Sequence, residues 1–281
     1  MATFEPKEAD NQEPENDQAM SFFEHIAELR KRLIYSLLGM VPTVSAAWVF
    51  RQYLFEILVA PLSKAMQELG MESPTIHYDK VTDMFVAYLK IAVVVGLIGA
   101  SPWIFWHVWQ FVAPGLYRRE KLFAIPFALA STLFFAGGAF FGYFVVFPLG
   151  IETLLGMGGQ LPNRTILLEP TIMIDKYLSF STQMLLAFGA VFEVPVFVSF
   201  LALSGLVNWK QLLKFGRWWV VIAAVFSALL TPPDIASQLL MLIPLIALYF
   251  LSVGIAYFLG PKPSAPEAED EEKSDITVAS K

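Results

Sequence analysis

One carboxyl group stands far from every other charge in the sequence. Sixteen uncharged residues separate Glu193 from Lys176, and sixteen more separate it from Lys210. A carboxyl group in hydrocarbon is costly unless it is protonated, paired or facing water, so an acid isolated in this way is by default a functional group. The structural alternative is a neutral carboxylic acid that is hydrogen-bonded inside a helical bundle.

Two other carboxyl groups lie among basic residues. Glu28 precedes Arg32 by four positions, and this helical spacing predicts a surface ion pair worth about 0.3–0.5 kcal/mol. Glu120 is flanked by three basic residues and could simply balance their charge. The functional interpretation is that each carboxylate accepts a guanidinium through two hydrogen bonds, as a receptor for an arginine-bearing ligand requires.

The other ionisable side chains do not indicate a reaction centre. Lys90 lies near the end of an apolar run and is predicted to extend its ammonium group to the membrane interface. The histidines His25, His77 and His107 are not spaced as a ligand cluster, cysteine is absent, and no phosphate-binding loop motif occurs. We therefore expect no metal, no cofactor and no enzymatic activity, ATP hydrolysis included.

The composition indicates that membrane-spanning helices position these residues. Apolar types make up 56% of the 281 residues and charged types only 16%, which is unusual for a soluble domain. The charges are bunched between apolar runs of roughly 20 residues, the length that crosses the hydrocarbon core. We predict an all-α integral membrane protein with six transmembrane helices, of which spans five and six are short: residues 33–55, 84–111, 122–147, 175–203, 218–230 and 235–259.

Local signals predict where several of these helices begin and break. A capping box starts the first helix at Ser21, and Asp175 and Asp234 are placed to cap spans four and six. Pro102 is expected to break span two. The residues 148–174 are predicted to form a glycine-rich outer loop.

Charge also predicts the organisation of the chain outside the spans. The net charge of -6 arises in two acidic tails, residues 1–20 and 261–281, which are predicted to be disordered on either side of a membrane domain over residues 21–260. An even number of spans places both termini on one side. Ten basic residues flank that side and five flank the other, so the termini are predicted to be cytoplasmic.

Four separated segments resemble the TatC family, the multi-span core of the twin-arginine protein translocase. They are residues 25–33 (HIAELRKRL), 111–120 (FVAPGLYRRE), 192–196 (FEVPV) and 231–234 (TPPD). The segments occur in the family's order with compatible spacing, and the resemblance covers about residues 20–260.

The resemblance implies a function and a set of site residues. Family members bind the twin-arginine signal peptides of folded proteins and work with TatA- and TatB-type single-span partners, in hetero-oligomers with multiple copies, powered by the proton-motive force. The implied location is the cytoplasmic (inner) membrane of a bacterium or archaeon, without a role for nucleic acid. By motif position, the signal-peptide-binding residues are Glu28, Glu120, Arg30, Phe111, Pro114, Leu116 and Tyr117, and the partner-helix contacts are Glu193 and Gln238.

Two other classes of protein compete with this interpretation. A proton- or solute-coupled secondary transporter could use Glu193 as a relay, but it would need further ionisable groups along its path, and apart from Lys90 the spans contain none. A purely structural scaffold would not need the two carboxylates at the membrane edge.

Overall fold

The computed structural model describes residues 22–68, 75–112, 124–156, 159–160, 167–168, 171–230 and 235–260. The described chain is almost entirely helical, with one π-helical turn and one two-stranded antiparallel hairpin. The elements are α1 (Phe22–Val49), α2 (Arg51–Glu68), α3 (Asp83–Val112), α4 (Ala124–Phe141), the π-turn (Gly142–Val146), α5 (Phe147–Gly156), β1 (Gly159–Gln160), β2 (Leu167–Leu168), α6 (Ile174–Phe192), α7 (Val194–Leu203), α8 (Trp209–Leu230) and α9 (Ile235–Leu259).

The predicted number of spans is confirmed within the described residues. Six helical segments are long and apolar enough to cross a membrane. Spans five and six are indeed the shortest, with 21 and 22 residues against 27 or more in each of the others. The segments are Phe23–Val49, Asp83–Val112, Ala124–Gly156, Ile174–Leu203, Trp209–Leu229 and Ser237–Phe258.

The end of span one differs from the prediction. The first helix stops at Val49 instead of continuing to position 55, and α2 follows after a one-residue turn. Arg51 stabilises this helix end, because its guanidinium donates a hydrogen bond of 3.1 Å to the carbonyl of Trp48 and lies 5.1 Å from the centre of the Trp48 ring. The side chain thus caps the last turn of α1.

Two prolines do not interrupt the helices that contain them. The predicted break at Pro102 is wrong, since α3 runs through it without interruption. The predicted loop from Pro148 also begins too early, because the helix continues to Gly156. The π-turn before Pro148 shifts the hydrogen bonding, with Phe147 donating to Gly142, and such local adjustments accommodate a residue that has no N–H.

The start of span four and the length of span five are also corrected. Met173, in extended conformation, is the N-cap of α6, and the predicted cap Asp175 lies inside the first turn. Helix α8, which contains span five, has 22 residues instead of the predicted thirteen. Asn208 and Gln211 start it as a capping box, with reciprocal backbone-to-side-chain hydrogen bonds of 3.1 and 2.9 Å. Ser21 and Asp234 lie outside the described residues.

The packing places α3 at the centre of one half of the bundle, against α1, α4 and α6, while α9 packs against α7 and α8. Fully buried Ile91, Leu178 and Phe188 fill the space between α3 and α6 and their neighbours. Helix α1 has its contacts chiefly with α3, and the rest of its apolar surface, including Leu37 and Leu38, is exposed. This peripheral helix carries Glu28.

Candidate functional site

The predicted pair of Glu28 and Arg32 is present at the start of α1, but it is more buried than a surface pair. The side chain of Glu28 is 17% exposed, and its Oε1 accepts a hydrogen bond of 3.2 Å from Nη2 of Arg32. Arg32 also donates from Nη1 to the side-chain oxygen of Gln110 on α3. Glu28 Oε2 and Arg32 Nε are buried without a partner among the described residues.

Contacts between α1 and α3 position this pair. The His25 ring stacks on Phe111 with centroids 4.5 Å apart, and the Trp103 indole N–H donates to the Tyr35 carbonyl at 2.8 Å. Both contacts lie within about two turns of Glu28. The carboxylate is therefore fixed beside the C-terminal end of α3 by aromatic contacts as well as by its ion pair.

The other predicted signal-peptide residues divide into two groups. Phe111 lies beside Glu28 through its stacking on His25, whereas Arg30 lines a separate shallow groove of about 550 Å³ on the exposed side of α1. The structure therefore does not bring Arg30 and Glu28 to one surface. The remaining four predicted residues fall outside the described residues: Glu120, Pro114, Leu116 and Tyr117.

Glu193 lies at the junction of α6 and α7, well inside span four as predicted. Its N–H bonds to Ala190 at 3.1 Å, and α-helical bonding resumes from Phe197 to Glu193 at 2.9 Å. Pro195 causes this change because it has no N–H to donate to the preceding turn. The proline thus places the carboxyl group at an irregular point of the span.

The Glu193 carboxyl group faces both a polar neighbour and an apolar groove. Ser131 on α4 interacts with the carboxyl, while Oε1 is buried without a hydrogen-bond partner in the described chain. Ser131 in turn accepts a hydrogen bond of 3.0 Å from the Trp109 indole. The groove has a volume of about 710 Å³, and its apolar walls include Phe197, Leu201, Phe215, Trp219 and Tyr249.

A close helix crossing holds Ser131 near Glu193. A Cβ added at Gly138 of α4 would lie 2.8 Å from the carbonyl carbon of Phe188 on α6, so only glycine permits this approach. Since α4 and α6 run in opposite directions, the residues before Gly138 lie beside those after Phe188. Ser131 precedes Gly138 and Glu193 follows Phe188, so the crossing brings these two residues side by side.

Gln238 is not brought to Glu193. It lies near the start of α9, where its amide nitrogen donates to the Ala224 carbonyl on α8 at 3.4 Å, and it does not line the groove beside Glu193. Its side chain connects α9 to α8. The predicted role of Gln238 as a partner contact stays a prediction.

Sequence reasoning missed Gln110, which accepts a hydrogen bond from Arg32, and it missed Ser131 and Trp109, of which Ser131 interacts with Glu193 and Trp109 donates to Ser131. Each lies on a different helix from the residue that it contacts, so no local spacing could have found it. Among the described residues, no group of three or more His, Asp or Glu side chains is arranged to hold a metal ion.

Comparisons with known proteins give the family. Residues 24–244 match the family described as Sec-independent protein translocase protein (TatC). The TatC protein of Desulforapulum autotrophicum is 39% identical over 260 residues, covering 92% of this chain and 93% of its own length. The TatC protein of Aquifex aeolicus is 38% identical over 241 residues, covering 86% and 95%.

Solved structures agree with this match. A crystal structure of the twin-arginine translocase receptor TatC superposes with a TM-score of 0.71 at 37% identity, covering 84% of this chain and 99% of that one. A second crystal structure of that receptor, in DDM, has a TM-score of 0.72 at 38% identity, covering 85% and 100%. This multi-pass membrane protein belongs to the TatC family of Sec-independent protein translocase proteins.

Proposed function

We propose that this protein is the receptor subunit for twin-arginine signal peptides of folded proteins and recruits TatA- and TatB-type partners for export driven by the proton-motive force. The solved relatives are described as twin-arginine translocase receptors. The observation that carries the proposal is Glu28, whose Oε1 is held by Arg32 while Oε2 has no partner among the described residues.

The chemistry of Glu28 suits a second guanidinium. An ionised carboxylate has about four acceptor sites, and Arg32 occupies one of them. A signal arginine can present two parallel N–H groups to such an oxygen pair, whereas a lysine presents a single ammonium point charge. We propose that Phe111 flanks the bound arginine, and that Glu120, with Pro114, Leu116 and Tyr117, completes the recognition surface. Arg30 lies in a groove on another side of α1 and is not included in this surface.

The test is peptide binding to the purified full chain. A twin-arginine signal peptide is compared with its twin-lysine version on wild type, Glu28→Gln, Glu120→Gln and the control Glu68→Gln. Glu68 forms a matched i,i+4 pair with Lys64 at 3.8 Å, far along the chain from the site. We expect each site variant to bind the twin-arginine peptide about tenfold more weakly, since hydrogen bonds to charged groups contribute roughly 1.5–3 kcal/mol.

The control separates recognition from general charge effects. Glu68→Gln should bind both peptides like wild type, and the twin-lysine peptide should bind equally weakly to wild type and Glu28→Gln. Unchanged twin-arginine binding in both Glu28→Gln and Glu120→Gln would refute the receptor proposal.

We propose a separate role for Glu193, as the contact for a polar group on a partner's transmembrane helix. The support is a carboxyl group whose buried Oε1 has no hydrogen-bond partner among the described residues and which lies beside an apolar groove of about 710 Å³. Glu193→Ala should reduce co-purification of TatA- or TatB-type partners more than it reduces signal-peptide binding. Glu152→Ala, an exposed acid on α5, is the control. The opposite ranking of the two effects for Glu193→Ala contradicts the assignment.

A transporter mechanism is not favoured. Lys90 is bonded to Ser179, which lies fourteen positions before Glu193 on the same span, or roughly 21 Å along the helix axis. No other ionisable side chain of the described residues lies between them on α6. A relay would need closer groups. We place the protein in the cytoplasmic membrane with both termini in the cytoplasm.

A further inference from the structure

Lys90 is a cation inside a membrane span, and none of the described carboxylates forms an ion pair with it. It is half-buried on α3, and its Nζ donates a hydrogen bond of 2.7 Å to Ser179 on α6. The nearest acid along α6, Asp175, pairs with Lys176 at 3.9 Å, and no described carboxylate forms an ion pair with Lys90. An ammonium at such a depth is stabilised by an anion.

Lys90 forms part of a groove between α3 and α6 with a volume of about 680 Å³. The groove opens outward, because Val86, Leu89 and Val93 on its α3 side are 40%, 44% and 38% exposed. These residues recur at helical spacing on the side of α3 that turns away from the core. In a multi-pass membrane protein this side faces lipid.

The polar side chains of the groove lie nearer the starts of α3 and α6 than its innermost apolar walls do. The starts of α3 and α6 lie at a similar depth, since Lys90 on the second turn of α3 bonds to Ser179 on the second turn of α6. Lys90 lies seven positions after Asp83, roughly 10 Å along α3. Further into the span, the walls are Val94, Leu186 and Ala187.

We propose that this groove binds one anionic phospholipid, with the headgroup phosphate on Lys90 and an acyl chain along the apolar end. The ammonium has three donors and Ser179 takes one, which leaves two for phosphate oxygens. The amide of exposed Gln183, one turn from Ser179, can supply a further donor. The Ser179 hydroxyl is not a donor here, because it bonds to the Asp175 carbonyl at 2.5 Å.

Charge complementarity favours lipid over an acidic partner helix. The polar end combines one cation with one neutral donor, the Gln183 amide, and it lies nearer the starts of α3 and α6, and so nearer the lipid phosphates, than Val94, Leu186 and Ala187 do. An acyl chain fits the apolar end without a hydrogen-bonding partner, whereas a second helix would bring its own side chains into the groove.

The experiment measures thermal unfolding of the delipidated full chain in detergent, titrated with phosphatidylglycerol or phosphatidylcholine. Wild type should be stabilised by phosphatidylglycerol at lower concentrations than by phosphatidylcholine. Lys90→Gln should need about tenfold more phosphatidylglycerol, because a charge-assisted bond is lost. Lys176→Gln removes one positive charge from the same end outside the groove and should respond like wild type. Lys90→Arg should keep the preference.

Two further measurements are needed. Inorganic phosphate tests whether the lipid or a free phosphate is the ligand, and a second variant keeps the test valid if Lys90→Gln does not fold. Inorganic phosphate should give no shift, and Leu89→Trp, which keeps the cation but obstructs the groove, should weaken the response to phosphatidylglycerol. Equal phosphatidylglycerol responses in wild type and Lys90→Gln overturn the proposal, as does a full response to inorganic phosphate. Loss of TatA- or TatB-type partners from Lys90→Gln with an unchanged lipid response also overturns it.

Discussion

The two oxygens of the Glu28 carboxylate have different surroundings, and this difference makes Glu28 suitable for recognition. Oε1 is fixed by Arg32, which is itself held by Gln110 on the neighbouring helix. Oε2 is buried and has no partner in the described chain. A pre-oriented carboxylate loses little side-chain entropy when a second guanidinium arrives.

Arg32→Lys tests whether Arg32 positions Glu28. Lysine keeps the charge, but its single ammonium group cannot replace the planar guanidinium that bonds to Glu28 and Gln110 through two different nitrogens. We expect roughly fivefold weaker binding of a twin-arginine peptide, equivalent to about 1 kcal/mol. Lys31→Arg, a conservative change at the next exposed basic residue, is the control and should bind like wild type.

A double-mutant cycle separates positioning from a simple loss of charge. If Arg32 acts through Glu28, the combined variant Glu28→Gln/Arg32→Lys should lose less affinity than the two single losses added together. Peptide dissociation constants of the four proteins give the coupling energy directly. Additive losses would show that Arg32 binds the peptide independently.

Sequence spacing located the acids but not the residues that hold them. The four-residue spacing predicted the Glu28–Arg32 pair, and the lack of nearby charge predicted the depth of Glu193. Gln110 accepts a hydrogen bond from Arg32, and Ser131 interacts with Glu193, each from another helix, and only the packing of α1 and α4 against their neighbours brings them close. Sequence periodicity predicts contacts within one helix, but it does not predict contacts between residues on helices that are distant in the sequence.

At the scale of elements, the α4–α6 crossing is controlled by one glycine, and its neighbour supplies a control. An added Cβ at Gly138 would lie 2.8 Å from the Phe188 carbonyl carbon and 2.9 Å from the Phe192 Cβ, whereas one at Gly137 would have nothing within 4 Å. We expect Gly138→Ala to lower the unfolding free energy by about 1–3 kcal/mol through overpacking. Gly137→Ala should leave the unfolding free energy unchanged. Thermal unfolding of the two variants and of wild type measures both effects.

The α1–α3 contact predicts a link between packing and recognition. An added Cβ at Gly96 would lie 2.7 Å from the Val44 Cα, so Gly96→Ala must push α1 away from α3. Because Glu28 lies on α1 and Phe111 on α3, we expect weaker twin-arginine peptide binding by a few-fold. Gly99→Ala, where the nearest atom would be 3.8 Å away, should leave binding unchanged. Equal affinities for the two variants would show that the α1–α3 spacing does not matter.

Helix ends were harder to predict than helix identity, and the reasons are local. Proline signals at Pro102 and Pro148 were overridden, because a spanning helix has no water to satisfy its backbone elsewhere and adjusts locally instead. The prediction left out the first two turns of α8, because they contain the charged residues Lys210, Lys214 and Arg217. The Asn208–Gln211 capping box marks the start of these turns. Hydropathy alone finds the apolar part of such a helix.

At the scale of the whole molecule, α8 explains how a short apolar run is accommodated. Its thirteen uncharged residues after Arg217 cover only roughly 20 Å, but the helix extends through the three basic residues before them. Those side chains can extend their charges to an interface while the helix remains continuous. Thus the basic end of α8 marks one side of the membrane, and the predicted orientation makes that side cytoplasmic.

The absence of cysteine from the sequence makes this orientation directly testable. Lys210→Cys, at the start of α8, and Lys176→Cys, at the start of α6, place single thiols at exposed positions, and the parent chain cannot react. The helices α6 and α7 together form one span, and this single span separates the start of α6 from the start of α8, so the two thiols lie on opposite sides of the membrane. With spheroplasts and a membrane-impermeant maleimide, Lys176→Cys should react at once and Lys210→Cys only after the membrane is opened. The reverse pattern would put the basic end of α8, and with it Glu28, on the outer side, where a receptor could not meet its cargo before export.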